Sequence, residues 1–369
     1  MNKLKKVAKC LGIALWVVIM VAGIYVAYVS LQYYRIADNV DLQHDVINPI
    51  EGGKTVEIGE EYSIMTYNIG FGAYIQEYTF FMDYGTMEDG TEVVGEYGKA
   101  LSKEKVLFST NGSVDAVKEL DTDFVFLQEV DKQAHRSYKV NQYQMFVDAL
   151  KNYQSVYASN FHSAYLFYPL NDPIGKVEAG IVTFSKIYSP STVRRSFTVD
   201  NSFPNKFFDL DRCFMVSRYP LNNSKELVLI NLHMSAYDEG GKIRASQLEM
   251  LNQVLKEEYE KGNYVIAGGD FNHDITGKTI SFPSKQKYPE WVQVLEEKDI
   301  DQNYHIVYGT NAPTCRAAEI PYTKGVNFTV IIDGFLVSDN IDVVSVENID
   351  LDFMYSDHNP AKMVFKLRG

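Results

Sequence analysis

The sequence predicts one α/β domain carried behind a single membrane-spanning helix. Two patterns point there. An uncharged, mostly apolar run occupies the N-terminus. From about residue 58 to the end, short apolar runs alternate with helical periodicity, with no second linker, internal repeat or low-complexity tract. A length of 369 residues and a hydrophobic fraction of 46% allow a sizeable core, and an aromatic fraction of 13%, mostly Tyr and Phe, suits a packed β-rich domain.

Lys3, Lys5, Lys6 and Lys9 precede a stretch without charge from Cys10 to Tyr34, and Leu11 to Leu31 alone gives 21 mostly apolar residues. At about 1.5 Å per residue such a helix crosses a hydrocarbon core of roughly 30 Å. Tyr33, Tyr34 and Arg35 close its far end, as interface anchors do. Lysines on one side and Asp38, Asp41 and Asp45 on the other place residues 1–10 in the cytoplasm as a basic tail, make 11–34 a single-pass signal anchor, and export the rest. The alternative is a cleaved signal peptide, whose apolar region is normally about 7–15 residues before a small-x-small site. Here the run is longer and Ala27-Tyr28-Val29 is a poor site; Cys10 precedes the run, which disfavours a lipoprotein. Residues 35–57, polar and ending near Glu51-Gly52-Gly53-Lys54, read as a linker, and 58–369 as the domain.

Within the domain the expected strands are Ser63–Ile69, Phe124–Val130, Gly180–Ser185, Phe214–Ser217, Leu227–Leu232, Tyr264–Ala267, Val330–Val337 and Ala361–Leu367. The expected helices are Gly112–Leu120, Gln142–Leu150 and Ile243–Tyr259, the last with an amphipathic stripe. The net charge is −13, and beyond residue 35 there are 30 basic against 48 acidic side chains, a net of −18. That argues against a general electrostatic grip on nucleic acid, while leaving room for a local basic cleft or a bound dication. Cys213 and Cys315 could pair outside the cytoplasm, but two buried free thiols is the simpler expectation.

The chemistry is concentrated where apolar strands end. Ile64-Met65-Thr66-Tyr67 leads into Asn68, Phe124-Val125-Phe126-Leu127 into Gln128-Glu129, Val228–Leu232 into His233, and Tyr264-Val265-Ile266-Ala267 through two glycines into Asp270-Phe271-Asn272. Asp333 sits inside another apolar run, and Ser356-Asp357-His358-Asn359-Pro360 follows near the C-terminus. A lone buried carboxylate costs several kcal/mol unless paired or bound to a cation, so these groups are expected to converge. Taken singly, each has a plain structural reading as a turn, a solvated strand end or a buried histidine. Carboxylates with Asn amide oxygens suit Mg2+ or Mn2+ better than Zn2+. Together with two histidines they suggest metal-assisted hydrolysis of a phosphate ester.

These motifs, Thr66-Tyr67-Asn68, Leu127-Gln128-Glu129-Val130, Asn231-Leu232-His233, Gly269-Asp270-Phe271-Asn272, Ile332-Asp333-Gly334-Phe335 and Ser356-Asp357-His358, occur in one order over roughly residues 60–369. In that order they resemble the endonuclease/exonuclease/phosphatase superfamily, which includes deoxyribonuclease-like and neutral sphingomyelinase-like enzymes. The resemblance implies a four-layered α/β sandwich with the site at one end. It implies Asn68, Glu129 and Asp357 at metal-binding positions, with Asp270 and Asn272 orienting the attacking water and holding the phosphate or binding a second metal. His358 would be the catalytic histidine, with Asp333 orienting it, and His233 would contact the phosphate or protonate the leaving group; which of these groups is base and which acid stays open between them. In the deoxyribonuclease branch an acid beside a Tyr-Leu-Phe strand pairs with the second histidine; here His162-Ser163-Ala164 precedes Tyr165-Leu166-Phe167. Residues 234–244 read as a substrate-side loop, and Phe80-Phe81-Met82 as a lid or, preferably, local packing.

The function expected is therefore a membrane-anchored, extracytoplasmic, Mg2+- or Mn2+-dependent phosphodiesterase, monomeric, with no protein partner. Its substrate is left open between a nucleic acid and a phospholipid head group. A phosphomonoesterase of the same fold is the alternative, disfavoured by the lack of a concentrated Lys/Arg pocket; a non-catalytic binding domain is disfavoured by the complete residue set.

Overall fold

Strands form where both alternating faces of a run are apolar, because each then has a layer to bury against. The computed structural model describes residues 2–45, 55–236 and 241–369; residues 46–54 of the expected linker and 237–240 of the loop after His233 lie outside the described residues. Two seven-stranded sheets result. From edge to edge, the first runs Val40–Asp41, Ser191–Ser196, Cys213–Pro220, Glu226–His233, Tyr264–Asp270, Asp333–Ser338 and Tyr304–Val307. The second runs Ile341–Asn348, Ala361–Leu367, Glu61–Asn68, Phe124–Asp131, Glu178–Ser185, Gln154–His162 and His44–Asp45.

The alternation of side chains sorts them into layers. Ile64, Phe124 and Phe126 of the second sheet meet Leu227, Leu229 and Ile266 of the first in a shared core between the sheets. The neighbours one residue along face outward. Met65, Val125 and Leu127 pack under the helices α2 (Lys103–Leu120) and α3 (Gln142–Ala149), and Val228, Ile230 and Val265 under α4 (Lys242–Glu260). The result is helix, sheet, sheet, helix: the four-layered α/β sandwich.

Several expectations need correction. The single strand expected over Val330–Val337 is divided into Thr329–Val330 and Asp333–Ser338. The intervening carbonyls are taken by the turn after Asp270, with Phe271 N donating to Ile332 O at 3.0 Å and Ile275 N to Ile331 O at 3.1 Å. The helix expected from Gly112 begins at Lys103, capped by Ser102 Oγ accepting from Lys105 N. Gly112 lies inside it because a Cβ there would come 2.2 Å from a ring carbon of Tyr355. The segment expected as linker contributes two short edge strands, Val40–Asp41 and His44–Asp45, one to each sheet. The strands Gln154–His162, Ser191–Ser196, Tyr304–Val307 and Ile341–Asn348 were not anticipated; their polar-rich patterns hide them. Cys213 and Cys315 are buried free thiols.

The N-terminal helix α1 (Asn2–Gln32) is long and apolar enough to cross a membrane, and its apolar window has none of its residues buried against the domain. Among the described residues, its last turns make its contacts with the rest of the chain, through Tyr25 and Tyr28.

On the α4 face, Glu258 binds Arg218 through two hydrogen bonds of 2.7 and 3.1 Å and also accepts from Lys261 Nζ and Asn263 Nδ2. Burial alone would raise this carboxyl, but the bonds from Arg218, Lys261 and Asn263 overcome it and hold it at about 2, against an ordinary 4.5. A depressed carboxyl stabilises the fold above its unfolded pKa and loses that effect as pH falls through the folded one. We therefore expect Glu258→Gln to lower the urea midpoint at pH 7. The gap from wild type should narrow as pH falls from about 4.5 toward 2. A gap independent of pH would assign the effect to packing.

Candidate active site

Two parallel strand pairs set up the site. Glu61–Asn68 runs parallel to Phe124–Asp131 with Asn68 opposite Gln128, and Glu226–His233 runs parallel to Tyr264–Asp270 with His233 opposite Asp270. Their C-terminal ends share one end of the sandwich. The antiparallel neighbours bring their N-terminal ends there: Asp333 lies opposite Asp270, and Ala361, just after Asp357-His358, lies opposite Thr66. The pairing of Phe124–Asp131 with its other neighbour slips between Leu127 and Val130, and Glu129 takes a left-handed φ of 56°. This bulge lets adjacent residues serve different tasks. Gln128 turns into the space between the sheets and donates to Asn231 Oδ1 at 2.9 Å, while Glu129 lines the cleft.

All eight sequence-predicted residues come together. Asp270 Oδ2 accepts from Asn68 Nδ2 at 3.0 Å and lies 3.3 Å from His233 Nε2 and 3.8 Å from His358 Nε2. Asn68 Nδ2 also reaches Glu129 Oε1 at 3.4 Å. His358 Nδ1 is 2.8 Å from Asp333 Oδ2, and Thr314 Oγ1 accepts from the backbone N–H of both Ile332 and Asp333, fixing the acid in the strand break. Asn272, with a left-handed φ of 50°, donates from its backbone N to Asp270 Oδ1 at 2.8 Å and from Nδ2 to Met234 O at 2.8 Å. Ser356 Oγ donates to Asn68 O at 2.8 Å and lies 3.2 Å from Asp357 Oδ1, tying the C-terminal motif to the first strand. Gly70 belongs to the same contact: a Cβ there would come 2.9 Å from Asp357 Oδ1 and from the Tyr74 ring.

These residues border a cleft of about 800 Å³, lined by Glu129, His233, Asp270, Asn272, Asp357 and His358 together with Arg136, Arg212, Arg316 and Asn160. Arg136 is bound to Asp131 at 2.9 and 3.2 Å and lies 3.8 Å over the Phe71 ring. Arg212 and Asn160 differ. Arg212 Nε and Nη1 and Asn160 Nδ2 are buried donors with no hydrogen-bond partner among the described residues. Donors buried without partners are costly, and at the wall of a cleft they suit an anion. Both were missed from sequence. The available signal was topological: Arg212 precedes a strand antiparallel to Glu226–His233, so it reaches the same end. Phe80 packs beside Tyr74 while Met82 lines the cleft, so Phe80-Phe81-Met82 is packing and wall at once. His233 Nδ1 has no hydrogen-bond partner among the described residues, while His162 lies 3.0 Å from Asp211.

The charges constrain one another. Burial raises the Asp270 carboxyl, and the neighbouring Asp333 adds to the rise against the pull of His358 and the Asn68 hydrogen bond. Asp357 keeps part of its surface open to the cleft, yet desolvation, with the Glu129 charge adding, pushes it up to about 6 despite His358 and Arg316. Burial, Arg212, His358 and Arg136 all push the His233 imidazole well below its usual range. Burial opposes a charge on His358, but Asp333, Cys315 and Asp270 overcome it and raise the imidazole well above the usual range. Carboxylates that raise one another, with hard oxygen donors at the cleft, form a set suited to a dication. Asp270, Asp333 and His358 also present ligand atoms within 4.8 Å of one another. There, however, one imidazole nitrogen is committed to Asp333, which suits proton holding better than ligation.

No family model matches the sequence, and no curated protein matches it. Solved structures do. The endonuclease/exonuclease/phosphatase from Beutenbergia cavernae aligns at 16% identity over 84% of this chain and 72% of that one, with a TM-score of 0.53. The endonuclease/exonuclease/phosphatase from Bacteroides vulgatus aligns at 17% identity over 84% of this chain and 100% of that one, at 0.51. D. rerio TDP2 complexed with a single-strand DNA product aligns at 14% identity over 83% of this chain and 99% of that one, at 0.52. At these identities the likeness is one of architecture: the chain has the endonuclease/exonuclease/phosphatase fold.

The raised carboxyls give a pH signature. A group whose folded pKa lies above its unfolded one contributes stability that is full below the unfolded value and lost as pH rises through the folded one. With chelator present, wild type is expected to lose melting temperature relative to Asp357→Asn as pH rises from about 3.8 through about 6, the interval set by Asp357. Mg2+ or Mn2+ at pH 7.5 should raise the wild-type melting temperature and leave that of Asp357→Asn little changed. A chelated wild type that gains on Asp357→Asn across this interval would contradict the electrostatic picture.

Proposed function

We propose that this chain is a membrane-anchored, Mg2+- or Mn2+-dependent phosphodiesterase. In this reading α1 crosses the membrane, its lysines lie in the cytoplasm, and residues 58–369 form the extracytoplasmic catalytic domain. The observation that carries the reading is the convergence on Asp270 Oδ2 of Asn68, His233 and the Asp333-bound His358, at 3.0, 3.3 and 3.8 Å. Nothing in the packing of a sandwich calls for two histidines around one buried carboxylate.

Glu129 and Asp357, with Asn68 beside them, would hold the dication, whose charge would stabilise the negative charge that grows on the phosphate oxygens. The chain's own groups divide the remaining work. Asp270, raised toward neutrality and oriented by Asn68 and Asn272, takes the proton of the attacking water. The environment of His358 favours its charged form at neutral pH, so it serves better as a donor than as the base. With Nδ1 on Asp333, its Nε2–H faces the position of a phosphate oxygen or leaving group. His233, kept neutral, holds the other side of the phosphate, and Arg212 and Asn160 supply the partnerless donors for its remaining oxygens.

Phosphodiester hydrolysis tests this directly. The full chain in detergent should cleave bis-p-nitrophenyl phosphate with Mg2+ or Mn2+ and stop with EDTA. His358→Ala should lower the rate about 10²–10⁴-fold, the range for losing a general acid or base, with dication affinity little changed. Glu129→Ala should abolish turnover and weaken dication binding in calorimetry. Full activity in EDTA would end the metal-dependent reading, and near wild-type rates for His358→Ala would end the proposed chemistry.

A further inference from the structure

The end of α1 is not simply joined to the domain; the domain reaches back along it. Tyr25 Oη donates to Tyr165 O at 3.1 Å, Tyr165 N donates to Tyr28 Oη at 3.3 Å, and Phe167 N donates to Tyr25 Oη at 3.4 Å. The rings of Tyr25 and Phe167 meet edge to face at 5.4 Å. Because α1 ends at Gln32, this places the segment 165–167 beside the last two turns of the helix. At about 1.5 Å per residue, that is roughly 10 Å back from the helix end. A second loop meets the exit of the helix. Phe207 packs edge-on to Tyr33 at 5.3 Å, Lys206 Nζ lies 5.1 Å over the same ring, and Arg35 binds Asp211 at 2.6 Å and the carbonyl of Asp200 at 2.7 Å.

What these loops present outward is apolar. Phe167 is 49% exposed, Tyr168 61%, Leu170 85% and Phe203 66%. Single exposed apolar residues are ordinary; four on two loops flanking the same helix end are a patch. A bilayer that receives the apolar length of α1 up to Leu31 must also receive a segment lying 10 Å or so back along it, since about 5–10 Å is the depth of an interfacial apolar face. Aromatic side chains around such an exit fit the head-group boundary. The same loops border the cleft: Asp200, Ser202, Asn205 and Phe208 line it from the second loop, and Phe161 and Ile174 flank the first.

We infer that residues 165–170 and 203–208 form a rim seated in the head-group layer of the membrane that α1 crosses, opening the catalytic cleft onto that layer, so that the phosphodiester it takes is one carried by a membrane lipid. This rests on the proposed membrane-anchored phosphodiesterase reading. Soluble diesters would still reach the site, while a lipid head group would meet it already concentrated at the mouth.

Tryptophan quenching by lipids brominated near the head-group end of their acyl chains, with the full chain in phosphatidylcholine nanodiscs, tests the seating. Native Trp16 reports on α1: its quenching, compared with Trp16→Phe, shows that the helix is embedded, and its absence would overturn both the anchor and the rim. In the Trp16→Phe background, Leu170→Trp should be strongly quenched. Val344→Trp should not be, since Val344 is an exposed residue on the sheet edge opposite His44–Asp45. Equal quenching of the two, with Trp16 quenched in the native chain, would overturn the rim alone. Activity tests the substrate. Leu170→Asp with Phe203→Asp should lower hydrolysis of sphingomyelin and phosphatidylcholine in mixed vesicles by about tenfold or more, as expected for lost interfacial seating. Its rate on bis-p-nitrophenyl phosphate should be unchanged. Wild-type cleavage of the soluble diester without cleavage of vesicle lipid would overturn the lipid assignment while leaving the catalytic site intact. Cleavage of neither would overturn the phosphodiesterase reading itself.

Discussion

The bond between Asn68 Nδ2 and Asp270 Oδ2, 3.0 Å long and buried, joins a side chain of one sheet to a side chain of the other. The apolar core between the sheets holds them together but is non-directional, and so leaves their offset to be fixed by something else. Polar contacts at low dielectric do this, because a small displacement leaves a buried group unpaired. Gln128 to Asn231 at 2.9 Å and Asn231 to Val182 O at 2.8 Å repeat the device a few residues away. The consequence is that strand ends from two separately wound sheets meet with side chains in contact, which is the condition for any joint chemistry at Asp270.

Much of this was legible in the sequence, for a physical reason. Strands buried on both faces are apolar at most positions, so the polar residues Asn68, Glu129, His233 and Asp270 stand out at or near their ends. Asp333 announced itself the same way, though the apolar run around it concealed a break made by the backbone of Phe271 and Ile275. The strands that escaped notice carry polar side chains at alternate positions or at sheet edges, as in Ser191–Ser196, where Thr192 and Arg194 are buried but do not look it. Arg212 and Asn160 escaped because their significance lies in partners they lack, and a missing hydrogen bond has no sequence pattern. The docking of α1 was hidden too, since Tyr25 and Tyr28 read as part of the apolar span.

Net charge proved a poor guide to the local field. The chain beyond residue 35 is strongly acidic, yet its cleft is walled by three arginines with different tasks. Arg136 neutralises Asp131 behind Glu129. Arg316 gives its Nη donors to the carbonyls of Tyr74, Ile75 and Ala317. Arg212 keeps two buried donors, Nε and Nη1, without a partner among the described residues, and Arg316 keeps one, Nε. Long-range repulsion and short-range attraction for an anion coexist because screening limits the first to about 10 Å or less, while burial protects the second.

Between the end of α1 at Gln32 and the first sheet residue at Val40 there is almost no slack. Arg35 is clamped to Asp211, and Arg194, itself buried, grips Ala37 O with one nitrogen while binding Ser159 O and Asp211 O with the others. Helix and domain are therefore one lever. A helix whose apolar length exceeds the local bilayer thickness tilts to compensate, and with a stiff joint the whole domain leans by the same angle. Under the proposed membrane-anchored reading, the thickness of the surrounding membrane would be a mechanical input to the cleft, and regions of different lipid composition would hold the same molecule in different poses.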